Sequence, residues 1–155
     1  YYITSAILRH LLENDPRPSL MVLTIQNEVA ERICVSEKFS LLALSVQVFG
    51  APEIAGKIPA GAFFPPPNVD SAIIRITLYD EPRIAATLLD DFFKLAKAGF
   101  SQKRKTLRNS LSSGLHIAPV DAETLLTNAD IDPRRRAETL SIDEWDRLTK
   151  KWQEK

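Results

Sequence analysis

Apolar positions in the first half of the chain change period several times, and each change marks an element. Across residues 2–12, Ile3, Ile7, Leu8, Leu11 and Leu12 fall near one helical face, which predicts an amphipathic helix. Asn14-Asp15-Pro16-Arg17-Pro18 then ends it as a loop, because proline cannot continue the helical hydrogen-bond ladder. Leu20-Met21-Val22-Leu23-Thr24-Ile25 is an unbroken apolar run of strand length, the pattern of a buried parallel strand. Asn27 is placed to cap a short helix over residues 28–34. Residues 39–48 read as a further helix, with β-branched residues that leave a strand open. Residues 52–59 and 71–78 read as strands, antiparallel about the loop between them.

That loop contains Phe63-Phe64-Pro65-Pro66-Pro67-Asn68-Val69-Asp70-Ser71. Its three prolines fix φ and remove three backbone donors, so the segment is stiff and extended. An aromatic pair at its head is held in place before any ligand arrives, and flat partners such as nucleobases stack on a face so presented. The same pattern also fits a proline-rich turn into an edge strand with Phe63 packed in the core. The residues alone leave both readings open.

After Asp80-Glu81-Pro82 the periodicity is helical throughout, which places a domain boundary there and gives units of residues 1–82 and 83–155. Residues 84–98 put Leu88, Phe92, Leu95 and Ala96 on one stripe. A break at Gly99-Phe100-Ser101 leads to a helix over 102–112, with Gly114 as its stop. A third helix spans 121–129, and Ser141-Ile142-Asp143-Glu144 is a capping box opening a fourth, to about Trp152. The chain opens directly on a helix, and strand 20–25 has few candidate neighbours, so it reads as the back portion of a larger α/β fold.

Composition adds bounds. A chain of 155 residues, 45% hydrophobic and 26% charged, is an ordinary globular one, long enough to bury a core. The single cysteine, Cys34, excludes an intramolecular disulfide and suits a reducing compartment; beside Ile33 it reads as a small core residue. No run is long or apolar enough to span a bilayer, and the first residues lack the features of a signal peptide. A cytoplasmic location is therefore expected. The net charge of zero hides an asymmetry: 6 Lys/Arg against 9 Asp/Glu in residues 1–82, and 14 against 11 in 83–155. The excess includes Lys103-Arg104-Lys105 with Arg108, and Arg134-Arg135-Arg136. Such clusters are either a polyanion-binding face or a solvated one.

Candidate chemistry is sparse. The five glycines, at 50, 56, 61, 99 and 114, make no nucleotide-binding spacing. His10, His116 and Cys34 make no metal set, so no metal is expected, and no nucleophile elbow is present. These absences argue against a self-contained catalytic site.

Four ordered motifs carry a resemblance. Tyr1-Tyr2-Ile3-Thr4-Ser5, the Phe63 loop, Phe100-Ser101-Gln102-Lys103-Arg104-Lys105-Thr106-Leu107-Arg108-Asn109-Ser110-Leu111, and Ile131-Asp132 with Arg136-Ala137-Glu138-Thr139-Leu140-Ser141 resemble the small-subunit ribosomal RNA adenine N6-dimethyltransferases. The resemblance covers essentially the whole chain. It implies an α/β fold: a partial Rossmann-like methyltransferase sheet followed by a small all-helical RNA-binding domain. It implies S-adenosylmethionine as methyl donor, and two adjacent adenines near the 3′ end of small-subunit RNA as substrate. The family's Asn/Asp-Leu-Pro-Tyr motif would end on Tyr1, with the donor's glycine-rich loop upstream. The chain by itself is accordingly expected neither to bind the donor appreciably nor to transfer methyl groups.

Within that resemblance, Tyr1 and Phe63 match the two positions that sandwich an adenine swung out of its stack. Lys103, Arg104, Lys105 and Arg108, near the start of a helix, would follow the phosphate backbone, with Arg134, Arg135 and Arg136 adding to the same face. The expected partners are small-subunit ribosomal RNA and the ribosomal particle. Strand edges left exposed would invite pairing with a second copy. A non-catalytic ribosome assembly factor of the same fold is the alternative function. The large-subunit adenine methyltransferases of antibiotic resistance rank lower, because residues 103–111 look more like the small-subunit enzymes.

Overall fold

The structure is a computed structural model and describes residues 4–14, 16–35 and 37–154. Ten regular elements follow in order: α1 (Thr4–Glu13), β1 (Leu20–Gln26), α2 (Asn27–Ile33), α3 (Leu41–Gln47), β2 (Gly50–Ile58), β3 (Ser71–Leu78), α4 (Leu89–Phe100), α5 (Leu107–Leu115), α6 (Pro119–Asn128) and α7 (Ile142–Gln153). They divide into two compact units. Residues 1–36 and 42–82 form the first, residues 37–41 and 83–155 the second.

The first unit holds a three-stranded sheet in the order β1-β3-β2, antiparallel throughout. Strand β1 is therefore not the parallel strand that its apolar run predicts. Apolarity reports burial but carries no direction. Direction is set here by the hairpin that returns β3 between β1 and β2. Burial along β1 also alternates: Met21 and Ile25 face inward while Leu20 and Val22 are exposed. On β3, Ala72, Ile74 and Ile76 are buried, and α2 packs Ala30 and Ile33 in the core of the same layer. Pro52 is tolerated because β2 is an edge strand. The register slips between Ile54 and Gly56, and Arg75 pairs with its cross-strand neighbour Glu53 on the exposed side.

Asn27 does not cap α2. It is the helix's first residue, behind an N-cap Gln26 that makes no side-chain bond. Its Nδ2 donates instead to Glu31 Oε1 (2.8 Å), which also receives Lys57 Nζ of β2 at 3.1 Å. The Asn27 amide, followed by Lys57, holds the Glu31 carboxyl below its ordinary value.

The second unit packs α4 to α7 around Trp145, which is fully buried. Phe92 meets it edge-on (6.4 Å, 85°) and Phe100 stacks on it (6.1 Å, 24°). Arg83 Nη2 donates to Asp143 (3.1 Å), and Gln153 Nε2 to Asp91 (3.0 Å). The Phe39 N–H donates to the Glu138 carbonyl (2.9 Å), which explains why residues 37–41 belong with this unit. The predicted capping box is present with both of its bonds: Glu144 N–H to Ser141 Oγ at 3.2 Å, and Ser141 N–H to Glu144 Oε2 at 2.8 Å.

Two boundaries differ from the pattern. Helix α4 runs through Gly99 and ends at Phe100 after a short 3-10 turn at Ala86–Leu88, and α5 begins only at Leu107. Gly114 is interior to α5, and the left-handed residue at its end is His116 (φ 56°). Glycine is needed at 114 for space: a Cβ there would lie 2.7 Å from the Cα of Ala98. The two helices cross at that point.

Gly114→Ala should therefore destabilise the second unit by about 1–2 kcal/mol, overpacking outweighing the helix-propensity gain. Gly61→Ala, with nothing within 4 Å of the added methyl, should stay within about 0.5 kcal/mol of the parent. Urea midpoints decide the matter; equal midpoints for the two variants would refute the steric account.

Candidate nucleic-acid interface

The aromatic loop lies in the first unit, at the carboxyl ends of β1 and β2, since Gln26 and Ile58 both pair with Ser71. Past Pro59 the chain makes a 3-10 turn, Ala60–Ala62, closed by Ala62 N–H to Pro59 O (3.0 Å) and Phe63 N–H to Ala60 O (3.2 Å). Asp70 clamps the base of the loop. Its Oδ1 accepts the Ala60 N–H (2.9 Å), and its carbonyl accepts the N–H of Asn27 at the head of α2 (3.0 Å). The loop's two ends and the helix are thereby held together. Phe63 is half-buried in extended backbone, neither a core residue nor a fully free one, while Phe64 is wholly exposed. Asp70 was legible only as part of the motif; its clamping role needs the turn that brings Ala60 back to it. Tyr1, the other predicted stacking residue, lies outside the described residues.

The predicted basic residues all lie in the second unit, where the fold sorts them into three environments. Residues 101–106 are a turn, not the first turn of a helix. Ser101 closes it onto the Ala98 carbonyl through Oγ (2.7 Å), and Lys105 N–H reaches Gln102 O (3.0 Å). The first N–H groups of α5 are satisfied from elsewhere in sequence: Leu107 donates to the Arg135 carbonyl (2.7 Å) and Arg108 to that of Pro133 (3.2 Å). This backbone capping brings the two basic clusters side by side. Lys103, Lys105 and Arg136 line one dimple beside Phe100. With Arg104 they are exposed, and their charged ends make no ion pair with any described residue.

Arg108 and Arg134 face a different place, a cleft of about 380 Å³ that also contains Glu123 and Asp132. Arg108 Nη1 donates to Glu123 (3.0 Å), and Arg134 donates to both oxygens of Asp132 at 3.1 Å. The side-chain and backbone bonds from Arg134 hold the Asp132 carboxyl below its ordinary value. The same carboxylate raises the Arg134 guanidinium. Charge in this cleft is locally balanced.

Arg135 is turned inward. Its guanidinium donates to both oxygens of Glu144, the second at 3.1 Å, and to the Thr139 hydroxyl at 3.3 Å. Burial would raise the Glu144 carboxyl, but Arg135 and the Ser141 N–H together hold it below its ordinary value. The expectation of three adjacent arginines on one face is thus modified: consecutive residues in a turn point different ways, and the middle one is spent on the fold. Among the described residues no cluster of three metal-ligating side chains occurs, and no helix is long and apolar enough to cross a membrane.

Comparison with known proteins gives consistent results. The family model described as ribosomal RNA adenine dimethylase matches residues 1–154. The ribosomal RNA small subunit methyltransferase A of Dehalococcoides mccartyi (strain ATCC BAA-2266 / KCTC 15142 / 195) is 46% identical over 149 residues, which are 96% of this chain and 51% of that protein. Its namesake in Enterococcus faecalis is 41% identical over 158 residues, covering 96% and 52%. The chain spans about half the length of the curated relatives it matches. Among solved structures, a dimethyladenosine transferase from Plasmodium falciparum superposes with a TM-score of 0.82 at 22% identity, over 99% of this chain and 64% of that one. The 23S rRNA methyltransferase ErmE gives 0.68 at 24% identity, over 97% and 61%. At these identities the likeness establishes the fold, the α/β Rossmann-like type shared by these methyltransferases.

The inward turn of Arg135 carries a pH signature. The folded carboxyl of Glu144 titrates below its ordinary value of 4.5, so its stabilisation is complete above the unfolded value and disappears as pH falls through the folded one. Glu144→Gln should cost about 1–2 kcal/mol at pH 7, from the cap and the charged hydrogen bonds together. That difference from the parent should shrink steadily once the pH drops below the ordinary carboxylate value. A gap in urea midpoint that is the same at pH 7 and pH 3 would contradict this assignment.

Proposed function

The chain belongs to the ribosomal RNA adenine dimethylase family, and from that premise we propose that the whole protein converts two adjacent adenines near the 3′ end of small-subunit ribosomal RNA to N6,N6-dimethyladenine. This segment supplies an adenine-stacking loop and a helical unit that grips RNA. The observation that carries the reading is the Asp70-clamped loop with Phe63 at its head. An adenine stacked within RNA cannot offer its amino group and must be swung out. A base so extruded stacks on the Phe63 ring for about 1–3 kcal/mol. Because the 3-10 turn, the prolines and the Asp70 clamp already hold the loop, little ordering entropy is lost on stacking. Tyr1 is the proposed second face of the sandwich.

The methyl donor of that reaction is S-adenosylmethionine. No glycine among the described residues has positive φ, and the strand-to-helix junction Gln26–Asn27 carries none, so these residues show no glycine-rich donor loop. What these residues do is bind and orient the substrate. Lys103, Arg104, Lys105 and Arg136 are the proposed phosphate contacts, being exposed cations without internal partners among the described residues. Arg108 and Arg134 join them only where phosphate displaces Glu123 or Asp132. Arg135 acts by position, holding the loop on which Arg134 and Arg136 sit. Such contacts fix RNA without reading its sequence.

In the full-length protein, Phe63→Ala should lower methylation turnover by roughly 10- to 100-fold, with RNA affinity changed by less than about 3-fold, because the cost of extruding the reacting base offsets most of its stacking gain in the bound state. Equal losses in both would count against the stacking role. The triple charge reversal of Lys103, Arg104 and Lys105 to Glu should weaken RNA binding across sequences and reduce the salt slope by roughly one for each phosphate no longer neutralised. An unchanged slope in a salt titration would move the RNA face elsewhere. Co-sedimentation of the same variant with small ribosomal subunits, without donor, separates binding from catalysis.

A further inference from the structure

Phe64 has no role in the fold. Its relative exposure is 101%, the highest of any large apolar residue described, so its ring touches nothing that packing requires. The backbone explains how it comes to be there. Phe63 is extended (φ −107°, ψ 155°), and along extended backbone successive side chains point to opposite sides. A half-buried Phe63 therefore places Phe64 in water. The residues after it narrow what could cover the ring. Pro65, Pro66 and Pro67 have no N–H to offer a base edge. Asp70, the nearest carboxylate along the chain, is tied to the Ala60 N–H. The tip of the loop thus presents an aromatic face beside a proline run without backbone donors, and the nearest carboxylate along the chain belongs to Asp70 at the clamped base.

We propose that Phe64 is a second substrate contact, stacking on the RNA base next to the adenine held at Phe63. The inference rests on the reading of the loop given above. It adds a division of labour: Phe63 holds the reacting base, while Phe64 holds its neighbour and so sets the position of the strand. Contact through a π-face is tolerant of base identity, because every base has one. The neighbour's identity should accordingly matter little.

The test uses the full-length protein and an RNA hairpin with two adjacent unpaired adenines, carrying 2-aminopurine on one or the other side of them. Because Phe64 is wholly exposed, Phe64→Ala should melt at the parent's temperature. It should raise the RNA Kd and the KM for methylation by about 5- to 100-fold, the range for loss of one stacked base, with kcat nearly unchanged. Quenching of 2-aminopurine on one side should be lost. Phe64→Trp should restore binding and quenching, whereas Phe64→Leu, apolar but without a π-face, should not. Parental Kd and KM in Phe64→Ala overturn the proposal, as does full rescue by leucine. Phe63→Ala tells the two levels apart. If it abolishes turnover while Phe64→Ala is silent, only this inference fails; if both are silent, the reading of the loop fails with it.

Discussion

One ion pair, Arg135 with Glu144, ties together the helix starts of the second unit. Glu144 accepts the Ser141 N–H that starts α7 and at the same time holds the Arg135 guanidinium. With its side chain so anchored, Arg135 presents its carbonyl to the Leu107 N–H, satisfying one of the donors that every helix start leaves open. A single carboxylate therefore connects the beginnings of two helices and the turn between α6 and α7. The pair is partly buried, so losing Arg135 would leave Glu144 with only the Ser141 N–H to offset its desolvation. Exposed pairs elsewhere, such as Arg32 with Glu28, contribute far less.

The same connection governs where positive charge appears. Arg136 is far in sequence from Lys103 and Lys105, and shares a dimple with them because the 133–135 backbone caps α5. Arg108 and Arg134 share a cleft for the same reason, but meet carboxylates there. A surface that holds cations without internal partners next to cations already neutralised differs from a uniform basic patch. In the proposed reading the first group would attract phosphate directly, and the second would have to exchange a carboxylate for it, which would add selectivity for geometry over charge alone.

In the first unit the corresponding constraint is the Asp70 clamp. It closes the loop at both ends and ties it to the head of α2, so the aromatic residues sit on a support held by the sheet. Binding groups on such supports lose little freedom when a ligand arrives. The prolines contribute from within by restricting φ, and Asp70 contributes from outside by fixing the ends.

Much of this was legible in the sequence because it is written in local chemistry. Helical spacing located α4 and α7, Ser141 and Glu144 announced the capping box, and three consecutive prolines announced a stiff aromatic loop. What escaped depends on groups distant along the chain. An apolar run such as 20–25 states that a strand is buried on at least one side, but its antiparallel pairing with β3 follows from the hairpin's return. The start of α5 at Leu107, five residues later than its pattern suggests, is set by carbonyls at 133 and 135. Gly114 reads locally as a stop and is in fact the point where Ala98 crosses. Three adjacent arginines read as one patch, yet the turn points each a different way. The sequence by itself determined the elements, the stiff aromatic loop and the charge clusters, since each rests on neighbours within a few residues. Only the tertiary structure decided strand direction, helix starts and which cations face solvent, since those rest on hydrogen bonds and packing between distant segments.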